Sequence, residues 1–424
     1  MWKLIKILFI GILFNCSYYS FSFTAWLSGP NTKMMLATLG LAWFLFDSWR
    51  QNKGLPFTAL MLGGATFSAV YSIINLVSVD INGTDDYSYA NYLTSFFTWV
   101  FSMYPAMAML RLEYGKVTFT RVAYYLAGVS VFQCISALLI DNVPAFEAFA
   151  DSIAYFATDF FDDINRLRCF STALDPAGVR FALVLVLITG CLCIDEDLKK
   201  KTPNVAYLVI SFFIILAIGS MVARTTFVGA VVGVVIYILH SPLFTGSIKR
   251  SRGKVALIFT SITALAVGGF IYLYNTDPYY YHLLRFAFEG FFNFVERGEF
   301  TTSSTEVLQT MWKWPTDTQG WIIGTGIYGT FSQGTDIGYC RLILYSGLVG
   351  FGLFALSFIY YAFHFAGKYR PYRWLFLAFL AMTFIIWAKV STDIMMIYAF
   401  FFWFTKQEED AINGLIPLAQ DTNV

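Results

Sequence analysis

The chain has 424 residues, 58% of them apolar and only 13% charged, with a mean hydropathy of +0.62. Soluble domains carry roughly 25% charged residues, so a soluble globular protein is excluded. A net charge of +1 gives no polyanion-binding signal, and no nucleic-acid partner is expected.

Apolar runs long enough to cross about 30 Å of hydrocarbon fall at 4–27, 32–48, 55–79, 91–110, 121–141, 178–194, 204–222, 225–242, 254–274, 338–362, 374–389 and 392–405. The second and the last two are the shortest or most interrupted. The expected fold is all-α: a polytopic membrane protein, a bundle of about 12 transmembrane helices. Residues 1–405 form a single transmembrane domain, and 406–424 a short cytoplasmic tail too small to fold alone. The runs do not alternate as the strands of a membrane barrel would. Lys3 and Lys6 followed by an apolar run to Asn15-Cys16 resemble a lipoprotein signal. Bulky Phe14-Asn15 stands where cleavage wants small residues, however, and the run continues to Leu27, so it reads as the first span.

Threading the spans from a cytoplasmic N-terminus puts eighteen of the 28 lysines and arginines inside. Both termini are then cytoplasmic. The ten outer cations are mostly arginines: Arg166, Arg168, Arg180, Arg224, Arg285, Arg297 and Arg341, against Lys33, Lys313 and Lys389. Arginine offers a planar fork suited to phosphate or carboxylate. The set therefore predicts an arginine-lined cavity on the outer face, the alternative being that each arginine snorkels to the interface. Two outer loops are long, about 142–177 and 275–337. The second contains an expected amphipathic helix, Tyr279–Val295, and a polar Ser/Thr/Gly segment; loops of this length usually carry function.

Other motifs weigh less. Gly324-Thr-Gly326-Ile-Tyr-Gly329 matches G-x-G-x-x-G but lacks a βαβ unit, so it reads as a flexible turn before the next helix. Asn82-Gly-Thr84 is a glycosylation sequon that matters only in a secretory pathway. The six cysteines have no zinc spacing and read as buried thiols rather than a Cys169–Cys340 disulfide across two loops. No metal and no cofactor are expected. For the outer His282, packing competes with a catalytic role. Asp336 and Arg341 stand five residues apart at the outer entry of the tenth span. A helix begun by Asp336 would offset them by about 140°, against the alternative that Asp336 caps the helix.

Three segments resemble the O-antigen polymerase (Wzy-type) and O-antigen ligase superfamily of bacterial polysaccharide assembly. They are Arg168-Cys-Phe-Ser-Thr-Ala-Leu-Asp-Pro176-Ala-Gly-Val-Arg180, Ala223-Arg224-Thr225, and Asp336-x-Gly-Tyr-x-Arg-Leu followed by Gly347-x-x-Gly350. The resemblance implies a membrane glycosyltransferase of GT-C-like fold in the bacterial inner membrane, working at the periplasmic face. Its substrates would be undecaprenyl-diphosphate-linked oligosaccharides as donor and acceptor, in a metal-independent, inverting transfer. The lipid bilayer surrounds it, and a chain-length regulator is a further candidate partner. The ligase has a histidine where this chain has Asp336, which favours polymerase over ligase.

The implied chemistry suits the residue types. Guanidinium groups can stabilise a departing diphosphate, the candidates being Arg180, Arg224 and Arg341, then Arg168, with Tyr339 as a further substrate contact. The attacking sugar hydroxyl needs a carboxylate as its proton leaves. Asp336 is the first candidate, and Glu306 and His282 are reserves. A transporter or flippase is the rival from another class, and would favour paired unwound helices and repeat symmetry.

Overall fold

In hydrocarbon a polypeptide must bond its own amides within each segment, and apolar runs therefore become helices. The computed structural model describes residues 2–26, 29–51, 57–155, 166–172, 174–240, 250–329 and 333–415. In chain order the helices are α1 Trp2–Tyr18, α2 Thr32–Arg50, α3 Ala59–Asn82, α4 Tyr92–Tyr114, α5 Phe119–Asn142, α6 Pro144–Ile153 and α7 Leu174–Ile194. Next come α8 Glu196–Lys200, α9 Thr202–Val222, α10 Thr225–Leu239, α11 Arg250–Thr276, α12 Pro278–Ala287, α13 Glu289–Arg297, α14 Ser303–Thr310 and α15 Thr318–Ile322. The last are α16 Gly338–Lys368, α17 Arg373–Trp387, α18 Met395–Phe401 and α19 Lys406–Ile412. Among the described residues there is no strand, only a lone antiparallel bridge between Phe23 and Ala154.

Seven described helices are long and apolar enough to cross a membrane: α3, α4, α5, α7, α9, the Leu257–Thr276 part of α11, and α16. The protein is thus a multi-pass helical membrane protein. Three of the expected runs give short described helices. α10 and α17 have 15 residues each, a rise of about 22 Å, and α18 has only 7. Between α17 and α18, residues 388–394 lie outside any helix.

Ion pairs orient the bundle. Lys6–Glu113 (2.8 Å), Arg111–Glu408 (3.0 Å) and Lys368–Glu409 (3.7 Å) gather the start of α1, the ends of α4 and α16, and the start of α19 at one end. This end carries both described chain ends; the opposite one, which collects residues 144–155, 166–172, 278–329 and 333–337, is called the loop end below. The tail, expected to be too short to fold alone, begins as a helix held against the bundle. Thr405 and Glu408 form a capping box, and Glu408 also takes the Val117 N–H at 2.7 Å.

Small residues set the closest helix contacts. α7 is almost wholly buried, and α10 lies on it through Gly229 and Gly233. A Cβ at Gly229 would stand 2.3 Å from Ala182 Cα, and one at Gly233 would stand 2.8 Å from Thr189 Oγ1.

α16 kinks at Gly347, where φ is 63° and ψ −174°. The kink frees two carbonyls, and the glycine-rich segment takes both. Thr325 N–H donates to Leu344 O at 2.6 Å, and Gly326 N–H to Tyr345 O at 3.1 Å. Ser78 Oγ adds a bond to Tyr345 O at 2.9 Å. The turn that reads as flexible in the sequence is therefore a splint fixed to a broken helix. The Asn82 amide nitrogen belongs to the same assembly, donating to Ser78 O (2.7 Å) and Gly324 O (3.0 Å). All six cysteines are free thiols.

Candidate functional site

The 388–394 break is non-helical backbone between two apolar helices, and in a membrane protein such backbone is tolerated only where protein or a water-filled cavity covers it. Gly338 lets α16 approach it: a Cβ there would lie 2.6 Å from Val390 O. Lys389, Thr392 and Asp393 are half-buried, not sealed.

Charged and polar side chains converge on this segment from several helices. Lys389 Nζ donates to Asp175 Oδ1 at 2.7 Å and lies 3.3 Å from Thr225 Oγ1. Thr225 donates in turn to Asp175 at 3.0 Å, which ties the starts of α7 and α10 to the break. Ser391 Oγ meets Tyr328 OH at 2.6 Å, and Ser391 O accepts from Tyr89 OH at 3.2 Å. Asp393 accepts from Met395 N–H (2.9 Å) and Tyr92 OH (3.3 Å), with Lys33 and Arg180 as its positively charged neighbours. Lys33 itself sits 3.7 Å over the Trp99 ring.

Among the expected site residues, Arg180 and Arg341 join this arrangement. Arg180 is buried in α7, with Nε on Tyr18 O (2.6 Å) and Nη1 on Pro176 O (2.8 Å). Arg341 donates from Nη2 to Tyr328 O at 2.6 Å and lies 4.3 Å over the Tyr328 ring. Both guanidinium groups are thus held by carbonyls, which fix their position without cancelling their charge. Arg224 lies next to this group. It pairs with Glu289 at 2.5 Å, donates to Phe286 O (2.9 Å) and Ser304 Oγ (3.0 Å), and shares the Phe286 ring with Arg166 at 4.2 and 5.0 Å.

The other expected residues stand apart. Arg168 is engaged by Asp151 at 2.7 and 2.9 Å and by Glu147 at 3.2 Å, and it anchors α6. Burial works against its charge, but the Asp151 and Glu147 carboxylates outweigh that and raise its pKa. Tyr339 OH donates to Phe384 O at 2.8 Å and braces α16 on α17. His282 is exposed and meets Tyr281 edge-on, and Glu306 is exposed on α14. The amphipathic stretch carrying His282 is two helices, broken at Phe288, not one.

Asp336 lies before α16, whose cap is Ile337 with no side-chain cap bond. The helix starts at Gly338, so neither the capping role nor the 140° offset calculated for a helix begun at Asp336 applies. Asp336 is half-buried, and among the described residues it meets no hydrogen-bond or ion-pair partner. Its carboxylate remains uncommitted.

Sequence reasoning missed Asp393 and the roles of Lys33, Asp175, Tyr89 and Tyr328. A signal existed for the first: Lys389 and Asp393 interrupt an otherwise apolar run, and charges inside a membrane segment mark function by default. Among the described residues no three His, Cys, Asp or Glu side chains are grouped as a metal site needs. A cavity of about 1450 Å³ opens elsewhere, between α1, α5 and α9, and none of the expected site residues lines it. Compared with known protein families, curated proteins and solved structures, the chain matches none.

Proposed function

We propose that this chain is a membrane glycosyltransferase that extends a polysaccharide from lipid-diphosphate-linked repeat units, its loop end facing the periplasm of a bacterial inner membrane and its 388–394 break forming the floor of the site. On this reading the expected twelve runs include α17 and α18 as two half-spans meeting at that floor. The observation carrying the proposal is the convergence of Arg180, Lys33 and Arg341 around one half-buried break, where Asp175 holds Lys389, with an uncommitted carboxylate, Asp336, on the approach to Arg341.

The step balances without a further reactant. A hydroxyl of the acceptor unit attacks the anomeric carbon of the donor, forming one C–O bond. The bond from that carbon to the diphosphate breaks, and the lipid diphosphate leaves with the electron pair. The hydroxyl proton passes to Asp336. Fixed cations stabilise the leaving charge best when they need not reorganise, and carbonyl-held Arg180 and Arg341 meet that condition. Arg224 and Arg168, already paired with carboxylates, serve the shape of the loop end instead.

A transport reading draws some support from the two helix breaks, since transporters bind at unwound helices. The carbonyls freed at Gly347 are taken internally by Thr325, Gly326 and Ser78, however, which leaves only the 388–394 break for a transported ligand. Asp336→Asn separates the readings. In cells producing the polysaccharide, polymer beyond one repeat should fall by about 10²-fold or more with protein level unchanged. Retained chain length would move the base elsewhere, and loss of single-repeat material at the outer face would favour transport.

A further inference from the structure

The cavity between α1, α5 and α9 has no part in the transfer reading. It is a lateral groove of about 1450 Å³, larger than the roughly 300–1,000 Å³ of small-molecule pockets. Its apolar length runs along Ile7, Leu8 and Ile12 of α1 and Val129 and Phe132 of α5, towards Phe170 near the loop end. Several of these side chains stay open: Leu8 and Ile12 are each 58% exposed. The termini end of the groove is different in kind. Lys3, Lys116, Arg121, Lys200 and Lys201 line it, against two carboxylates, Asp195 and Asp197.

Both carboxylates have work inside the protein. Asp195 caps α8 through the N–H groups of Asp197 and Leu198, each at 3.0 Å, and also accepts from Thr120. Asp197 pairs with Lys200 at 2.7 Å. Arg121 is fixed at the rim by Lys116 O, 2.8 Å from Nη1, and by the Tyr114 ring at 4.6 Å. The groove thus combines an apolar trough with an excess of positive charge at one end only, at the level where α4 ends and α5 begins.

We infer that this groove is a binding site for an anionic phospholipid, its acyl chains along α1 and α5 and its phosphate among Lys116, Arg121, Lys200 and Lys201. A transmembrane helix of a partner protein would fill the trough equally well but would leave the one-ended charge without a purpose. The inference depends on the membrane setting and not on the glycosyltransferase reading.

The test uses the full-length protein purified in detergent and titrated with phosphatidylglycerol or phosphatidylcholine, bound lipid being counted by native mass spectrometry. Wild type should retain phosphatidylglycerol in preference. Each cation near an anionic headgroup is worth about five-fold, or about 1 kcal/mol, so Lys200→Gln with Lys201→Gln should cut that preference on the order of thirty-fold. Gly11→Leu provides the second arm. Nothing lies within 4 Å of a Cβ at Gly11, which lines the trough, so a leucine there starts into open space in the groove and suits a helix better than glycine. It should reduce bound lipid of both kinds while leaving thermal stability in detergent intact. Equal retention of the two lipids by wild type, or an unchanged preference in the lysine variant, would overturn the inference. So would a tightly held partner helix that Gly11→Leu displaces.

Discussion

Asp86 illustrates how single side chains shape the loop end. Its Oδ2 accepts the N–H groups of Tyr328 (2.6 Å) and Gly329 (2.5 Å), joining the α3–α4 connection to the segment that carries the Arg341 contact. Burial alone would raise its pKa, but the bonds from Gly329, Ser88 and Tyr328 outweigh that and hold it below the ordinary carboxylate value. A depressed pKa contributes stability above the unfolded value, about 3.9, and loses it as pH falls through the folded one. Asp86→Asn should therefore cost on the order of 1 kcal/mol at pH 7, after allowing for solvent screening. It should also flatten the acid limb of a thermal-stability profile in detergent; an unchanged limb would mean the clamp contributes nothing. Arg224 makes a comparable clamp at the start of α10. Arg224→Lys keeps the charge facing Glu289 but cannot reproduce the fork that reaches Phe286 O and Ser304. Limited proteolysis within 298–310 should quicken about five-fold, for a loss of about 1 kcal/mol. Such pairings were hidden in the sequence. Arg168 and Arg224 were legible as cations of the correct type, but their carboxylates, Asp151, Glu147 and Glu289, become partners only once the loops fold back.

Helices as units were more legible, because hydropathy marks segments that must bond internally. α3, α4, α5, α7, α9 and α16 all occupy expected apolar runs. The kink in α16 is less legible. In the sequence Gly347 is one glycine of a motif, yet it permits a kink that no side chain would tolerate. A Cβ there would stand 2.2 Å from Ile322 O and 2.5 Å from Ile323 N, both backbone atoms that cannot yield. Gly347→Ala adds a left-handed residue to that overlap, and should lower stability by about 3 kcal/mol. The expected readout is poor recovery of folded protein from detergent; normal yield and melting would show that α16 can straighten. The turn at 388–394 is partly legible: the runs 374–389 and 392–405 meet there, but their hydropathy does not show that the helices α17 and α18 are only 15 and 7 residues long. That turn brings Lys389 to Asp175 and Asp393 to Tyr92.

At the scale of the molecule, the two ends of the bundle differ in construction. The termini end is closed by ion pairs and a capped α19, and it carries the one-ended basic groove. The loop end is assembled from α6, α12 to α15 and the splinted kink, with fixed cations meeting at a break in the helices. This asymmetry suits chemistry performed from one side of a membrane, on a substrate whose diphosphate cannot leave the surface. The decisive measurement is reconstitution of the purified protein in vesicles with an undecaprenyl-diphosphate-linked repeat unit and no nucleotide sugar. The account predicts products of two or more repeats, free undecaprenyl diphosphate released in step, and loss of both with Asp336→Asn. Intact wild-type protein that leaves every repeat unit single, or that only moves the lipid-linked sugar between leaflets, would contradict it.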